Sequence, residues 1–286
     1  GILQSFFRLV FDRPDVIFLK GGYVCLPVGI VAGFLNIPYV IHDSDAAPGL
    51  TNRVLAKKAK IIATGMPLNF YNYPEGRAIW TGTPIGENFK PVSKVIQTKE
   101  KEALGFDKKR PLLVATGGSL GALHINRAIA KLLPKLLEKC SVVLITGHES
   151  YEEFKYLASE YAENFQLIEF TTEISRYFAA ADVVVSRSGA STISELASMK
   201  KSVILVPNQK LPGFHQVKNA ENYAESGAAL LVRDSERGVD EQELLKAINQ
   251  LLDDDELRAK LAKNLGNFAK NDAALELAKI VLGAAK

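Results

Sequence analysis

The stretch from Val183 to Ala197 reads VVVSRSGASTISELA. Three valines open it, a turn of small and polar residues with one arginine follows, and a helix-like pattern carrying a single acid, Glu195, closes it. A short apolar run without alternation is the pattern of a parallel strand covered on both faces. Gly189 and Ala190 at the turn let a ligand approach the backbone at a helix start, where unpaired N–H groups and the helix dipole favour an anion. Two readings of Glu195 stay open on these residues. Thr192-x-x-Glu195 matches a capping box, in which Glu195 reaches back to the helix start. Alternatively, its carboxylate takes two hydrogen bonds at once from the vicinal hydroxyls of a ribose.

The same alternation extends outward from this unit. Strands are expected at Val16–Lys20, Tyr39–Ile41, Ile61–Ala63, Leu112–Ala115, Val142–Thr146, Phe165–Glu169, Val183–Val185, Val203–Val206 and Ala229–Val232. Helices lie between most of them, for example at Gly121–Lys139, Ser191–Ser198 and Gln216–Ser226. One series ends near Trp80, residues 81–98 read as a linker rich in Gly, Pro and polar residues, and a second series starts at Leu112. The tail from Glu241 is helical. The expected architecture is α/β, with two Rossmann-like parallel-sheet domains, an interdomain cleft, and ligands at the carboxyl ends of the strands.

A length of 286 residues favours two domains. A net charge of +3 is too small to argue for a nucleic-acid partner, though it fits a weak attraction to an anionic membrane surface. Cys25 and Cys140 show no metal spacing and read as two reduced core thiols. No apolar run reaches the ~18 residues of a spanning helix, and no signal-peptide pattern is visible. The opening GILQSFFRLVFDRPD reads as the last turns of a helix running into the strand DVIFLK, as if the chain began inside a domain.

Other motifs repeat the strand–turn–helix layout. In LLVATGGSLGALHINRA, Gly117 and Gly118 form the turn and a helix is expected from near Ser119. This suits a phosphate, although it is neither a Walker A loop nor GxGxxG. In PNQKLPGFHQVKNAENYAESGAA, a helix begins with His215 and Gln216, and Gln216 and Asn219 share one face at i, i+3. Gly21 and Gly22 sit at the carboxyl end of another strand. Asp43 and Asp45, in HDSD, lack a third metal ligand, so a solvated loop with an N-cap role is expected there.

Taken in order, GGYVCLPVG, IPYVIHDSDAAPGLTNR, VATGGSLGALHIN, ADVVVSRSGASTISELA and HQVKNAENYAESGAA resemble the MurG glycosyltransferases. The resemblance covers nearly the whole chain. It implies the GT-B fold, with an acceptor-side domain at residues 1–88 and a UDP-sugar-binding domain at 89–286 whose final helix can return to the first. It implies inverting transfer of N-acetylglucosamine from UDP-GlcNAc to the undecaprenyl-linked lipid acceptor of peptidoglycan synthesis. No cofactor and no metal are expected. The enzyme would work at the cytoplasmic face of the bacterial plasma membrane, as a peripheral protein.

Residue by residue, Ala190, Ser191, Thr192, Ile193, Ser194 and Glu195 match the segment that wraps UDP. Gly117 and Gly118 match the phosphate loop, Ser119 a phosphate-contacting serine, and Thr171 a position whose backbone reads uracil. Gln216 matches a glutamine near the sugar, and Asp45 a sugar-contacting asparagine. Gly21, Gly22 and Tyr23 fall on the acceptor side. The family's glycine-rich loop at the first strand, with its histidine, has no counterpart here. The common HEQN segment reads His42-Asp43-Ser44-Asp45, and the usual GNPVR reads Gly82-Thr83-Pro84-Ile85-Gly86. The catalytic base is unassigned, with His42 an internal candidate. Ile2, Leu3, Phe6, Phe7, Val10 and Phe11 with Arg8 form either a membrane-facing patch or a core-facing helix. Rival readings are another GT-B enzyme, such as a lipid glycosyltransferase or a UDP-GlcNAc 2-epimerase, and a catalytically silent UDP-binding module.

Overall fold

The computed structural model describes residues 1–118 and 121–285. The chain divides into two compact units, one of Gly1–Ile85 with Lys270–Lys286 and one of Gly86–Ala269.

The first unit opens with helix α1 (Ile2–Phe11), followed by β1 (Ile17–Leu19), α2 (Cys25–Phe34), β2 (Tyr39–Asp43), α3 (Leu50–Leu55), β3 (Ile61–Thr64) and β4 (Ala78–Trp80). The four strands are parallel, in the order β1-β2-β3-β4. All five residues of β2 are buried. Leu19, Val31, Ile37, Ile41, Leu55 and Ile62 form the core between the sheet and its helices. β4 had no signal in the sequence: its three residues are only partly covered, as suits an edge strand.

The first helix of the second unit is α4 (Lys94–Ala103), which starts inside the stretch expected to be linker and runs beyond its end at residue 98. Ser93 caps this helix, its hydroxyl accepting from the Ile96 amide at 3.3 Å. There follow β5 (Leu112–Thr116), α5 (Leu123–Lys139), β6 (Ser141–Ile145), the short α6 (Tyr151–Phe154) and α7 (Tyr156–Glu160), β7 (Phe165–Ile168), α8 (Ile174–Ala180), β8 (Val183–Ser186), α9 (Ala190–Met199), β9 (Val203–Leu205), α10 (His215–Glu225) and β10 (Leu230–Leu231). A two-residue hairpin, β11 (Asp234–Ser235) and β12 (Gly238–Val239), leads into α11 (Glu241–Asp253) and α12 (Asp255–Gly266). The last helix, α13 (Ala273–Ala284), groups with the first unit and contacts β2 and β3.

The six long-sheet strands are parallel, in the order β10-β9-β8-β5-β6-β7. The chain works outward from β5 in one direction through β6 and β7, then returns to β8 on the other side and continues to β10. This is the doubly wound order, and its reversal opens a crevice at the carboxyl ends of β5 and β8. Every residue of β5, β6, β8 and β9 is buried, which explains why these strands read as unbroken apolar runs. Helix α5 turns Ile125, Ala128, Ile129, Leu132, Leu133 and Leu136 into the core, the 3–4 spacing of one helical face.

Candidate functional site

The crevice is shaped by the turn that ends each strand. After β5, Gly117 leaves no room for a side chain: a Cβ there would stand 2.1 Å from the Ala122 amide nitrogen. Gly118 and Gly121 take φ of 76° and 70°, the left-handed region that glycine enters without strain. Gly118 donates its amide to the Thr116 hydroxyl at 3.2 Å, and the Gly121 amide donates to the Gly118 carbonyl at 3.0 Å. Ser119 lies outside the described residues. Helix α5 starts at Leu123 rather than near Ser119 because the chain closes this second turn first.

After β8, the turn is tied to α10. The Ser188 hydroxyl donates to the Gln216 carbonyl at 2.8 Å, and the buried Asn219 amide donates to the Ser188 carbonyl at 3.0 Å. Gly189 then caps α9 in an extended conformation with no side-chain hydrogen bond, so the first-turn amides of α9 lack a capping acceptor. A Cβ on Gly189 would meet nothing within 4 Å. The capping box is therefore not formed. Thr192 lies inside the helix, and Glu195 is one and a half turns in, too far along to reach the cap.

Between these turns lies a cavity of about 300 Å³. Its polar side is Thr116, Ser191, Thr192 and Glu195, and its apolar side includes Ile145, Phe170, Ile174 and Phe178. Ser191 and Glu195 are i, i+4 neighbours on one face of α9. The Glu195 carboxyl makes no hydrogen bond or ion pair with any described residue, and burial alone pushes its pKa up to about 7. A half-buried acid without a partner among the described residues, in a crevice, marks a candidate ligand contact.

The structure thus gathers Gly118, Thr171, Ser191, Thr192 and Glu195 around one cavity. Ala190 and Ile193 are buried on the core side of α9, and Ser194 is half-buried; none of the three lines the cavity. Gln216 stands apart from it, its side-chain oxygen accepting from the Asn208 amide at 2.9 Å. Sequence reading missed Glu169, Phe170 and Gly147, which also line the cavity. They follow β7 and β6, so the carboxyl-end rule would have found them once the strand order was known.

A second cavity, of about 670 Å³, lies along Gly121–His124, Arg187 and Asn208–Lys210. Here buried Asp234 accepts from His124 Nδ1 and from Arg187 Nη1, each at 2.7 Å. The chain's mixed spacing hides this link, since the partners lie 110 and 47 residues apart.

In the first unit, Gly21 and Gly22 follow β1 with φ of 91° and 80°, and Tyr23 is 85% exposed. Asp43 is not in a solvated loop: it ends β2, is buried, and accepts from the Tyr73 hydroxyl at 2.7 Å. Burial raises its pKa to about 6. Neither Asp43 nor Asp45 caps α3, whose N-cap is Gly49. No cluster of three or more metal-ligating side chains occurs among the described residues. His42 is fully buried, with Nε2 at 2.9 Å from the Gly82 carbonyl and Nδ1 at 3.1 Å from the Ser44 hydroxyl. Burial lowers its pKa. Both ring nitrogens are occupied, so His42 is a structural residue here and not an available base. Cys140 is a buried thiol, whereas Cys25 is only partly buried and donates to the Gly21 carbonyl.

Residues 112–277 match the family model of the glycosyltransferase family 28 C-terminal domain, and residues 1–64 match that of the N-terminal domain. The fold resembles the crystal structure of MurG from Acinetobacter baumannii, with a TM-score of 0.76 and 22% identity over 99% of this chain and 77% of that one. The molecule is a glycosyltransferase of the GT-B class. A protein of Carboxydothermus hydrogenoformans is 31% identical over 98% of this chain and 76% of its own length. One of Lachnoclostridium phytofermentans is 32% identical over 91% of this chain and 70% of its own. Both bear the name UDP-N-acetylglucosamine–N-acetylmuramyl-(pentapeptide) pyrophosphoryl-undecaprenol N-acetylglucosamine transferase. The chain belongs to this MurG family of N-acetylglucosaminyltransferases, within glycosyltransferase family 28.

Proposed function

We propose that this chain transfers N-acetylglucosamine from UDP-GlcNAc to an undecaprenyl-linked muramoyl-pentapeptide, and that the cavity at the β5/β8 switch point holds the uridine of the donor. The observation that carries the site assignment is the unpartnered carboxyl of Glu195 on the cavity wall. A ribose supplies the two hydroxyl donors that this carboxylate lacks. The diphosphate then lies at the uncapped first turn of α9, from Ala190 through Thr192, and at the Gly117–Gly118 turn. The family resemblance adds Ser119 and Gln216 as donor contacts and Asp45 as a sugar contact. Gly21, Gly22 and Tyr23 serve the acceptor side.

In the reaction, the acceptor hydroxyl loses its proton to a base, and its oxygen attacks the anomeric carbon as the bond to UDP breaks. Configuration inverts. Negative charge grows on the departing diphosphate, where fixed amides at helix starts offset it without reorganising.

The enzyme works at a membrane surface, at the cytoplasmic face of the bacterial plasma membrane. Support comes from α1, where Leu3, Phe7 and Phe11 are exposed beside Arg8, with Phe34 of α2 exposed as well. No helix among the described residues is long and apolar enough to cross a membrane. An apolar face with a basic residue fits adsorption to anionic lipid.

The test is a transfer assay with UDP-GlcNAc and a lipid-linked muramoyl-pentapeptide analogue in detergent. The reading expects UDP release that depends on acceptor and a product heavier by one GlcNAc. Epimerisation of UDP-GlcNAc without acceptor would replace it, and donor binding unaffected by Glu195→Ala would overturn the site assignment.

A further inference from the structure

Asp234 is buried, and its carboxylate reaches two loops at once. Oδ1 accepts from His124 Nδ1 and Oδ2 from Arg187 Nη1, each at 2.7 Å. A carboxylate offers acceptors only, so the proton on Nδ1 is fixed toward it. His124 is the second residue of α5, two residues beyond Ala122, whose amide lies against Gly117. Arg187 stands two residues before Gly189, the N-cap of α9. The same Nη1 also donates to the Val206 carbonyl at 3.1 Å, just beyond the end of β9. One side chain thus links the turn after β5 to the turn after β8.

The anchor is itself held. Asp234 belongs to β11, where it pairs with Val239 of β12. Val239 is buried in the core, and β12 packs on α5. The hairpin therefore sets Asp234 on the helix that carries His124. Stability alone does not call for this charged set. Apolar side chains of similar volume often replace a buried ion pair with no loss, and sometimes with a gain. What the set adds is direction: two short hydrogen bonds fix where each loop stands. Amides that offset charge on a ligand act best when already in place, and a misplacement of about 1 Å costs up to about a hundredfold.

We infer that Asp234 is a positioning residue of the donor site: through His124 and Arg187 it holds the Gly117–Gly118 turn and the first turn of α9 in register for a diphosphate. The inference rests on the reading of those two turns as the diphosphate site. None of the three side chains lines the donor cavity, so each acts through the loop that carries it.

The test uses the full chain and two probes, UDP and uridine, in calorimetry. The main variants are at His124, whose side chain is 25% exposed and can be replaced with the least damage to the fold. His124→Ala should weaken UDP about tenfold, within the range of couplings between residues of one network, and leave uridine at the parent value. His124→Asn should restore UDP binding, because its side-chain amide N–H stands where Nδ1–H did. Asp234→Ala, checked for folding by thermal melting, should weaken UDP at least as much as His124→Ala, and adding His124→Ala to it should cost nothing further. If Asp234→Ala does not fold, the two His124 variants decide alone. UDP affinity at the parent value in His124→Ala overturns the inference. So does equal weakening of UDP and uridine, which marks general loosening of the unit, and so do additive losses in the double variant, which mark two independent roles. These results leave the diphosphate reading intact where the parent binds UDP far more tightly than uridine. A parent that binds the two alike overturns that reading and the inference with it.

Discussion

Replacing Glu195 by Gln should make the ligand-free protein more stable and its donor binding weaker, and each effect should depend on pH in its own way. In the free protein, burial raises the Glu195 carboxyl from its ordinary 4.5 to about 7, with no partner to compensate the charge. The folded state therefore holds this proton more tightly than the unfolded chain does. Stability is lost as pH rises from about 4.5 to about 7, and the loss is constant above that. With a discount for the partial exposure of the carboxyl, the loss is about 1–2 kcal/mol. Gln has the same shape and no charge. Glu195→Gln should leave the melting temperature unchanged near pH 4.5 and raise it by about 2–8 °C at pH 8.

Donor binding runs the other way. The ionised carboxylate accepts from both ribose hydroxyls, whereas the protonated acid must give up one acceptor site. UDP-GlcNAc is the right probe because its diphosphate is doubly esterified and carries no group titrating near pH 6, unlike a terminal phosphate. For the parent, affinity should rise about tenfold between pH 6 and pH 8 and level off above, as a group with a pKa of about 7 becomes ionised. Glu195→Gln should lose that pH dependence and bind UDP-GlcNAc more weakly at pH 8 by about 1.5–3 kcal/mol, the range for hydrogen bonds to a charged group. Calorimetry across pH, beside melting of the free proteins, reads both effects. A variant that melts lower than the parent at pH 8 would show that the carboxylate is a structural acceptor. Unchanged UDP-GlcNAc affinity would show that no ribose meets it. Either outcome refutes the reasoning.

Three further perturbations follow from the same coordinates. Gly117→Ala should lose donor binding by more than tenfold and lower the melting temperature, because its Cβ would strike the Ala122 amide at 2.1 Å and force the loop apart; calorimetry and melting check both. Asp182→Ala should destabilise the second unit by about 3–5 kcal/mol in denaturant unfolding, because Asp182 accepts from Gln97, from the Leu112 amide and from buried Lys101, and its loss strands a buried cation. Phe7→Ser with Phe11→Ser should reduce sedimentation with anionic vesicles several-fold while UDP affinity in solution stays at the parent value; unaltered vesicle binding would mean that α1 does not meet the membrane.

The sheet of the second unit was largely legible because its physics is local. Val183–Ser186 and Leu112–Thr116 are covered on both faces, so they read as apolar runs wherever they occur, and boundaries moved by only a residue or two. Elements with half-covered or polar faces were not legible in the same way. Strand β4, at an edge, has no residue fully buried and carried no pattern. The first half of α4 was read as linker because it follows a stretch rich in Gly, Pro and polar residues, and buried Gln97 and Lys101 break the apolar face of the helix. Those two polar residues are buried because Asp182 and the carbonyls of Ala181 and Arg110 wait for them, about 80 residues away for Asp182 and Ala181. Nothing within α4 announces that.

The site shows the same limit in sharper form, and Glu195 decides what can be inferred from it. In sequence, Thr192-x-x-Glu195 is a good capping box, and residue spacing cannot distinguish a cap from a ligand contact. The backbone settles it by starting α9 at Ala190 behind Gly189, which moves Glu195 beyond reach of the helix start. Its neighbours on the cavity wall then come from three other strand ends: Thr116 at the end of β5, Ile145 at the end of β6, and Phe170 and Thr171 after β7. They converge only because the strand order reverses at β5, a property of the sheet and not of any segment. A half-buried carboxylate with no partner among the described residues costs stability at neutral pH, as the Glu195→Gln melting experiment would read out. Folding alone would favour Gln or Leu at that position. A ligand that donates two hydrogen bonds in the cavity would recover the loss, and the ribose proposed above has that chemistry.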